Sequence, residues 1–209
     1  MKTGGEVLVD CLRNQDVDIA FGVPGESYLA VLDALHDAKN AIRFVGTRNE
    51  GGAAFMAEAH GKLTGRPGIC FVTRGPGATN ASIGIHTAMQ NSTPMIMFVG
   101  QVGLDHRGRE AFQEIDYRQF YGPITKWTAE IDQVERIPEY VAQAMQRATS
   151  GRMGPVALAL PEDVLAASAQ VVDARAANPV NASASNEQIA SIRDSLAGAK
   201  RPMVVLGGS

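Results

Sequence analysis

The stretch Thr47-Arg48-Asn49-Glu50-Gly51-Gly52-Ala53-Ala54-Phe55-Met56-Ala57-Glu58 decides how the rest of the chain is read. An apolar strand-like run precedes it at residues 41–45, and a helix-like run continues to about Thr64. A buried strand handing over to a helix is the unit from which parallel sheets are built. Glu50 then stands at the carboxyl end of a strand and in the first turn of a helix. The residues after it are small or apolar, so its carboxylate is expected to face a water-poor setting. A charge in such a place is either a helix-terminal group or a chemical one.

The same alternation extends outward in both directions. Thr3 and Glu6 have the spacing of a capping box ahead of a helix to about Asn14. A short strand at 18–22 ends in Gly22-Val23-Pro24-Gly25-Glu26-Ser27, a turn that lets backbone approach a ligand, with Ser27 as the expected cap of a helix to about Ala38. Beyond a turn at 65–68, Ile69-Cys70-Phe71-Val72-Thr73 reads as a strand buried on both faces. It leads into Arg74-Gly75-Pro76-Gly77-Ala78-Thr79-Asn80 and a helix of small residues to about Asn91. Residues 94–100 form another buried strand, and 101–123 show no clean period, as in a functional loop. A short strand at 124–128, an amphipathic helix at 132–149 and a strand at 155–160 stopped by Pro161 complete the pattern. The expectation is an α/β fold, a doubly wound parallel sheet of six strands with helices on both faces. Loops 22–27, 48–50, 74–80 and 101–114 would share the carboxyl edge of that sheet, where such folds bind ligands.

Near Pro161 the composition shifts. Residues 162–185, rich in Ala, Ser, Asn and Val, read as a linker, and 186–197 as a helix. Residues 201–209 read as a strand ending in a Gly turn. The expected organisation is one domain over 1–165, a linker over 166–185 and the truncated start of a second α/β domain over 186–209.

The 209 residues are 45% hydrophobic with a net charge of −3. No basic cluster points to nucleic acid, and no apolar run is long enough to span a membrane. No signal peptide opens the sequence. Cys11 and Cys70 both lie in apolar runs, which suggests buried thiols and a cytoplasmic setting. His36, His60, His86 and His106 form no ligand pattern, so no protein-built metal site is expected. A dinucleotide-binding domain is excluded because no Gly-x-Gly-x-x-Gly follows the first strand.

Four motifs recur in a known order: Gly22-Val23-Pro24-Gly25; Arg48-Asn49-Glu50 with Ala53-Ala54-Phe55-Met56-Ala57; Gly75-Pro76-Gly77-Ala78-Thr79-Asn80; and Ala111-Phe112-Gln113-Glu114. With Gly151-Arg152-Met153-Gly154-Pro155-Val156 and Pro161-Glu162-Asp163-Val164, the chain resembles the pyrimidine-binding domain of thiamine-diphosphate enzymes of the acetolactate synthase kind. The resemblance is close over 3–165 and loose beyond. It implies that Glu50 hydrogen-bonds N1′ of the cofactor's aminopyrimidine, with Gln113 as a second catalytic residue. It implies that Gly25, Thr73, Pro76, Gly77 and Asn80 line the cofactor pocket, and that Glu26, Arg74 and Phe112 lie on the substrate side. Glu26 reads equally as a capping or solvated carboxylate, and Phe112 as a core aromatic. Arg74 departs from the family pattern, which carries a small hydroxyl residue or a His there. Its guanidinium could clamp a substrate carboxylate or be a surface charge near the pocket, and it puts plain pyruvate-to-acetolactate chemistry in question.

The resemblance further implies a 2-oxo acid substrate. The family's Gly-Asp-Gly motif, which holds diphosphate through Mg²⁺ on a C-terminal domain, does not occur in these residues. A partner subunit's C-terminal domain would supply it, in a homodimer or homotetramer, and these residues alone would be inactive. FAD is left open, to be decided by the central domain. A 2-oxo acid decarboxylase or other carboligase of the family, and a non-catalytic binding or assembly module with the same fold, stand as alternatives.

Overall fold

The computed structural model of the chain describes residues 1–172, 175–178, 180 and 182–206. In order its elements are β1 (Lys2–Thr3), α1 (Gly4–Asn14), β2 (Ile19–Gly22), α2 (Leu29–Asp37), β3 (Arg43–Gly46), α3 (Glu50–Thr64), β4 (Gly68–Val72), α4 (Gly75–Gln90), β5 (Met95–Gln101), α5 (Tyr117–Tyr121), β6 (Trp127–Glu130), α6 (Ile137–Thr149), β7 (Pro155–Pro161), α7 (Glu162–Ala166), β8 (Ser168–Ala169) and α8 (Asn186–Gly198). Six strands form one sheet in the order β3-β2-β4-β5-β7-β6, with every neighbouring pair parallel.

Alternate residues of the central strands point to opposite faces, and each face has its own core. Ile69, Phe71, Ile96, Phe98, Val156 and Leu158 pack with α1, α2 and α6. Cys70, Val72, Met95, Met97, Val99 and Ala157 pack with α3, α4 and α5. Cys11 and Cys70 are both buried, one in each core. The second core is built from small residues, and that brings α3 and α4 close. A Cβ on Gly84 would lie 2.5 Å from Ala54 Cβ, so only glycine admits this approach.

The expected capping box is formed: Thr3 Oγ1 accepts from Glu6 N–H, and Glu6 accepts from Thr3 N–H. Several local expectations are corrected. Ser27 does not cap α2. Residues 26–28 make a 3₁₀ turn, and the fully buried Ser27 hydroxyl hydrogen-bonds Thr73 Oγ1 at 3.0 Å instead. The third strand starts at Arg43 rather than at 41, and β6 occupies Trp127–Glu130 rather than 124–128, because Gly122–Ile124 is a 3₁₀ turn containing Pro123. The irregular stretch 101–123 contains α5, capped by Asp116 Oδ1, which accepts from the Arg118 and Gln119 amides. The first residues after Pro161 are ordered as α7 and β8, and β8 pairs antiparallel with β1. Residues 201–206 form no strand, since no neighbouring strand among the described residues offers pairing partners. The Gly turn expected at the end lies outside the described residues. No helix among the described residues is long and apolar enough to cross a membrane.

Candidate active site

The loops following β2, β3, β4, β5 and β7 lie on one edge of the sheet because all these strands run the same way. α3 starts at this edge. Asn49 caps it through Oδ1, which accepts from Gly51 N–H at 2.8 Å. Glu50 is therefore the first residue of α3, where the exposed amides favour a negative charge. Asn80, one turn into α4, donates its Nδ2–H to Glu50 Oε2 at 2.9 Å. The close α3–α4 contact makes that pairing possible.

Gly77 faces the same carboxylate. A Cβ there would lie 3.5 Å from Glu50 Oε1 and 2.9 Å from Thr73 Cγ2. The absence of a side chain thus keeps the space before Glu50 open. Glu50 is half-buried rather than enclosed, because Gly52, Phe55 and Met56 of α3 face outward. Its charge still acts on the interior. Burial pushes the Tyr28 phenol up, with Cys70 and Glu50 adding to it; burial also pushes the Cys70 thiol up, with Glu50 adding. Pro76, in the first turn of α4, is exposed beside Gly77. On the other side, Gly25 packs against Thr73, to which Ser27 is also bonded.

The loop after β5 is shaped by Glu114. Its Oε1 accepts from Gly108 N–H at 2.7 Å and Arg107 Nε–H at 3.1 Å, and its Oε2 accepts from Ala111 N–H at 3.2 Å. Arg107 also pairs with Glu130 on β6. The hydrogen bond from Gly108 first, then those from Ala111 and Arg107, hold the Glu114 carboxyl below its usual range against the opposing effect of burial. Gln113 has φ 64° and accepts Gly75 N–H on its carbonyl at 3.0 Å, so the loop is stitched to the start of α4. Phe112 projects into solvent, 71% exposed, and is not a core aromatic.

Arg74 is not a surface charge. It is buried, and its Nη2 donates to Glu162 at the start of α7 while Nη1 lies 3.6 Å from Glu26. The structure thus joins Glu50, Asn80 and Gly77 in one cluster, Gly25 with Thr73 in a second, Glu26 with Arg74 in a third, and Gln113 with Gly75 in a fourth. Sequence reasoning missed Glu114 and Ser27 as organising groups and Glu162 as the partner of Arg74. Glu114 stood inside a quoted motif, but nothing in its spacing shows that it folds back on amides. A cavity of about 520 Å³ lined by Lys2, Asp10, Arg13 and Asp18 lies at the amino edge of the sheet, away from Glu50, and has no part in this site.

Residues 2–120 match the thiamine pyrophosphate enzyme family, N-terminal TPP binding domain. The chain belongs to this family. Among its relatives, the acetolactate synthase of Bacillus subtilis (strain 168) is 38% identical over 205 residues, 98% of this chain and 36% of that protein. The acetolactate synthase isozyme 1 large subunit of Escherichia coli (strain K12) is 39% identical over 210 residues, 99% of this chain and 37% of that protein. The acetolactate synthase large subunit of Lactococcus lactis is 36% identical over 210 residues, 99% of this chain and 36% of that protein. The chain therefore spans little more than a third of the length of these relatives. In this thiamine pyrophosphate family domain, the Glu50–Asn80–Gly77 cluster offers a carboxylate acceptor, an amide that orients it and a side-chain-free approach. Those residues fit one edge of an aminopyrimidine.

Proposed function

We propose that the chain is the pyrimidine-binding part of a longer thiamine-diphosphate enzyme that decarboxylates a 2-oxo acid and forms a carbon–carbon bond, in the manner of acetolactate synthases. The observation that supports this best is Glu50, held by Asn80 at the head of α3 with the open Gly77 before it. When bound, thiamine diphosphate supplies the electron sink for decarboxylation. Glu50 would hold a proton against the pyrimidine N1′, and Asn80 would fix which carboxylate oxygen faces the ring. Gly25, Thr73, Pro76 and Gly77 would shape the pocket around it. Gln113 would act beside the reacting carbon, with Glu26 and Phe112 on the substrate side. Mg²⁺ and the diphosphate would be held by the C-terminal domain of a partner subunit, in a homodimer or homotetramer. FAD, if used, would belong to the central domain. Residues 1–165 would then be the pyrimidine domain, 166–185 a linker and 186–209 the start of that central domain.

The test is Glu50→Gln in the longer enzyme. Loss of a proton-handling carboxylate is expected to lower turnover by about 100-fold or more, with diphosphate anchoring retained. Unchanged turnover would overturn the assignment. These 209 residues alone should bind thiamine diphosphate weakly and turn nothing over. Tight Mg²⁺-dependent binding in a calorimetric titration would contradict the division of the site between subunits.

A further inference from the structure

We infer that Arg74 is a positioning residue, a charged tether that fixes the Gly25–Glu26 turn over the end of β4 and does not itself hold a substrate carboxylate. Three strand-to-helix junctions meet at this point: β2–α2, β4–α4 and β7–α7. Arg74 comes from the second, Glu26 from the first and Glu162 from the third. The guanidinium side chain is only 8% exposed, whereas Glu26 and Glu162 are 71% and 44% exposed. One buried cation is thus shared by two carboxylates that reach water.

Two features argue against a carboxylate clamp. The cluster of one guanidinium and two carboxylates carries a net negative charge, so an incoming anion meets repulsion. A further donor, Arg74 Nε, is enclosed and has no hydrogen-bond partner among the described residues, so it is closed to a ligand as well. Three features argue for a tether. Ser27, next to Glu26, is fully buried and bonded to Thr73, next to Arg74. Gly25 lies so close to Thr73 that a Cβ on it would be 2.7 Å from Thr73 Cβ. Asp163, next to Glu162, accepts Leu104 N–H at 2.9 Å and carries the same stitching to the loop after β5.

The test uses this chain without cofactor, so it is independent of the thiamine assignment. Arg74→Met should fold, because it strands no buried charge: both carboxylates reach solvent. Its amide exchange across residues 23–28 should rise by about 10-fold, with β4 and β5 unchanged, as expected of a local opening. Glu26→Gln should give a similar rise, and the double variant should add nothing further, since contacting residues are not additive. Arg74→Lys should restore part of the protection. Unchanged exchange in Arg74→Met, or additive effects in the double variant, would overturn the tether. So would a shift of the Arg74 Nε resonance on titrating pyruvate into the wild-type chain, which would instead mark a carboxylate-binding group.

Discussion

Glu50 and Glu114 stand on the same edge of the sheet, and their surroundings differ. Glu114 accepts two backbone amides and a guanidinium, and its carboxyl is held below the usual range. Glu50 accepts one side-chain hydrogen bond, from Asn80, and faces a glycine. A carboxylate has about four acceptor positions. Glu114 uses most of them to fold a loop, whereas most of those on Glu50 meet no donor among the described residues. The difference separates a structural acid from a candidate functional one more clearly than burial does, because both are half-buried.

The comparison can be broken most directly by exchanging their roles. Glu50→Gln should produce the largest effect, the turnover loss described above, without loss of fold. Glu114→Ala should act on stability, at a cost of about 1–3 kcal/mol for the lost hydrogen bonds to a charged group, read from urea unfolding. A Glu50→Gln chain that unfolds as easily as Glu114→Ala would erase the distinction. Asn80→Ala removes the amide that orients Glu50 and should cost about 1 kcal/mol or less in stability, while lowering turnover of the longer enzyme measurably.

The pH dependence sharpens the same contrast at smaller amplitude. The folded carboxyl of Glu114 is lowered from 4.5, so its contribution is fully present above that pH and is lost as pH falls through the lower folded value. The gap in urea midpoint between wild type and Glu114→Gln should therefore be widest near neutrality and close below pH 4.5. A gap that stays constant to low pH would remove the Glu114 carboxylate from the loop's support. Smallest of all, Glu50→Gln should change the free energy of unfolding by no more than about 0.5 kcal/mol.

Much of the sheet was legible because its central strands are unbroken apolar runs between turn residues, buried on both faces: Ile69 and Phe71 enter one core, Cys70 and Val72 the other. The α3 start at Glu50 was equally legible from Asn49 and the small residues that follow. α5 could have been found from Asp116 ahead of Tyr117, Phe120 and Tyr121, whose spacing fits one helical face. Ser27 misled because a hydroxyl before an apolar run is a good cap, and its competing partner, Thr73, is 46 residues away. Residues 201–206 misled because β-propensity has no effect until another strand accepts the hydrogen bonds.

By itself the sequence determined the order of the six sheet strands and the main helices between them, the parallel sheet and the edge on which Gly25, Glu50, Gly77 and Gln113 gather. Those properties follow from local periodicity and strand direction, which neighbouring residues encode. Only the tertiary structure decided that Asn80 reaches Glu50, that Arg74 is buried between Glu26 and Glu162, and that Glu114 folds its own loop. Such pairings depend on distances between segments up to 88 residues apart. They are set by how closely small residues let α3 and α4 pack and by where charged side chains still find partners at the sheet's edge.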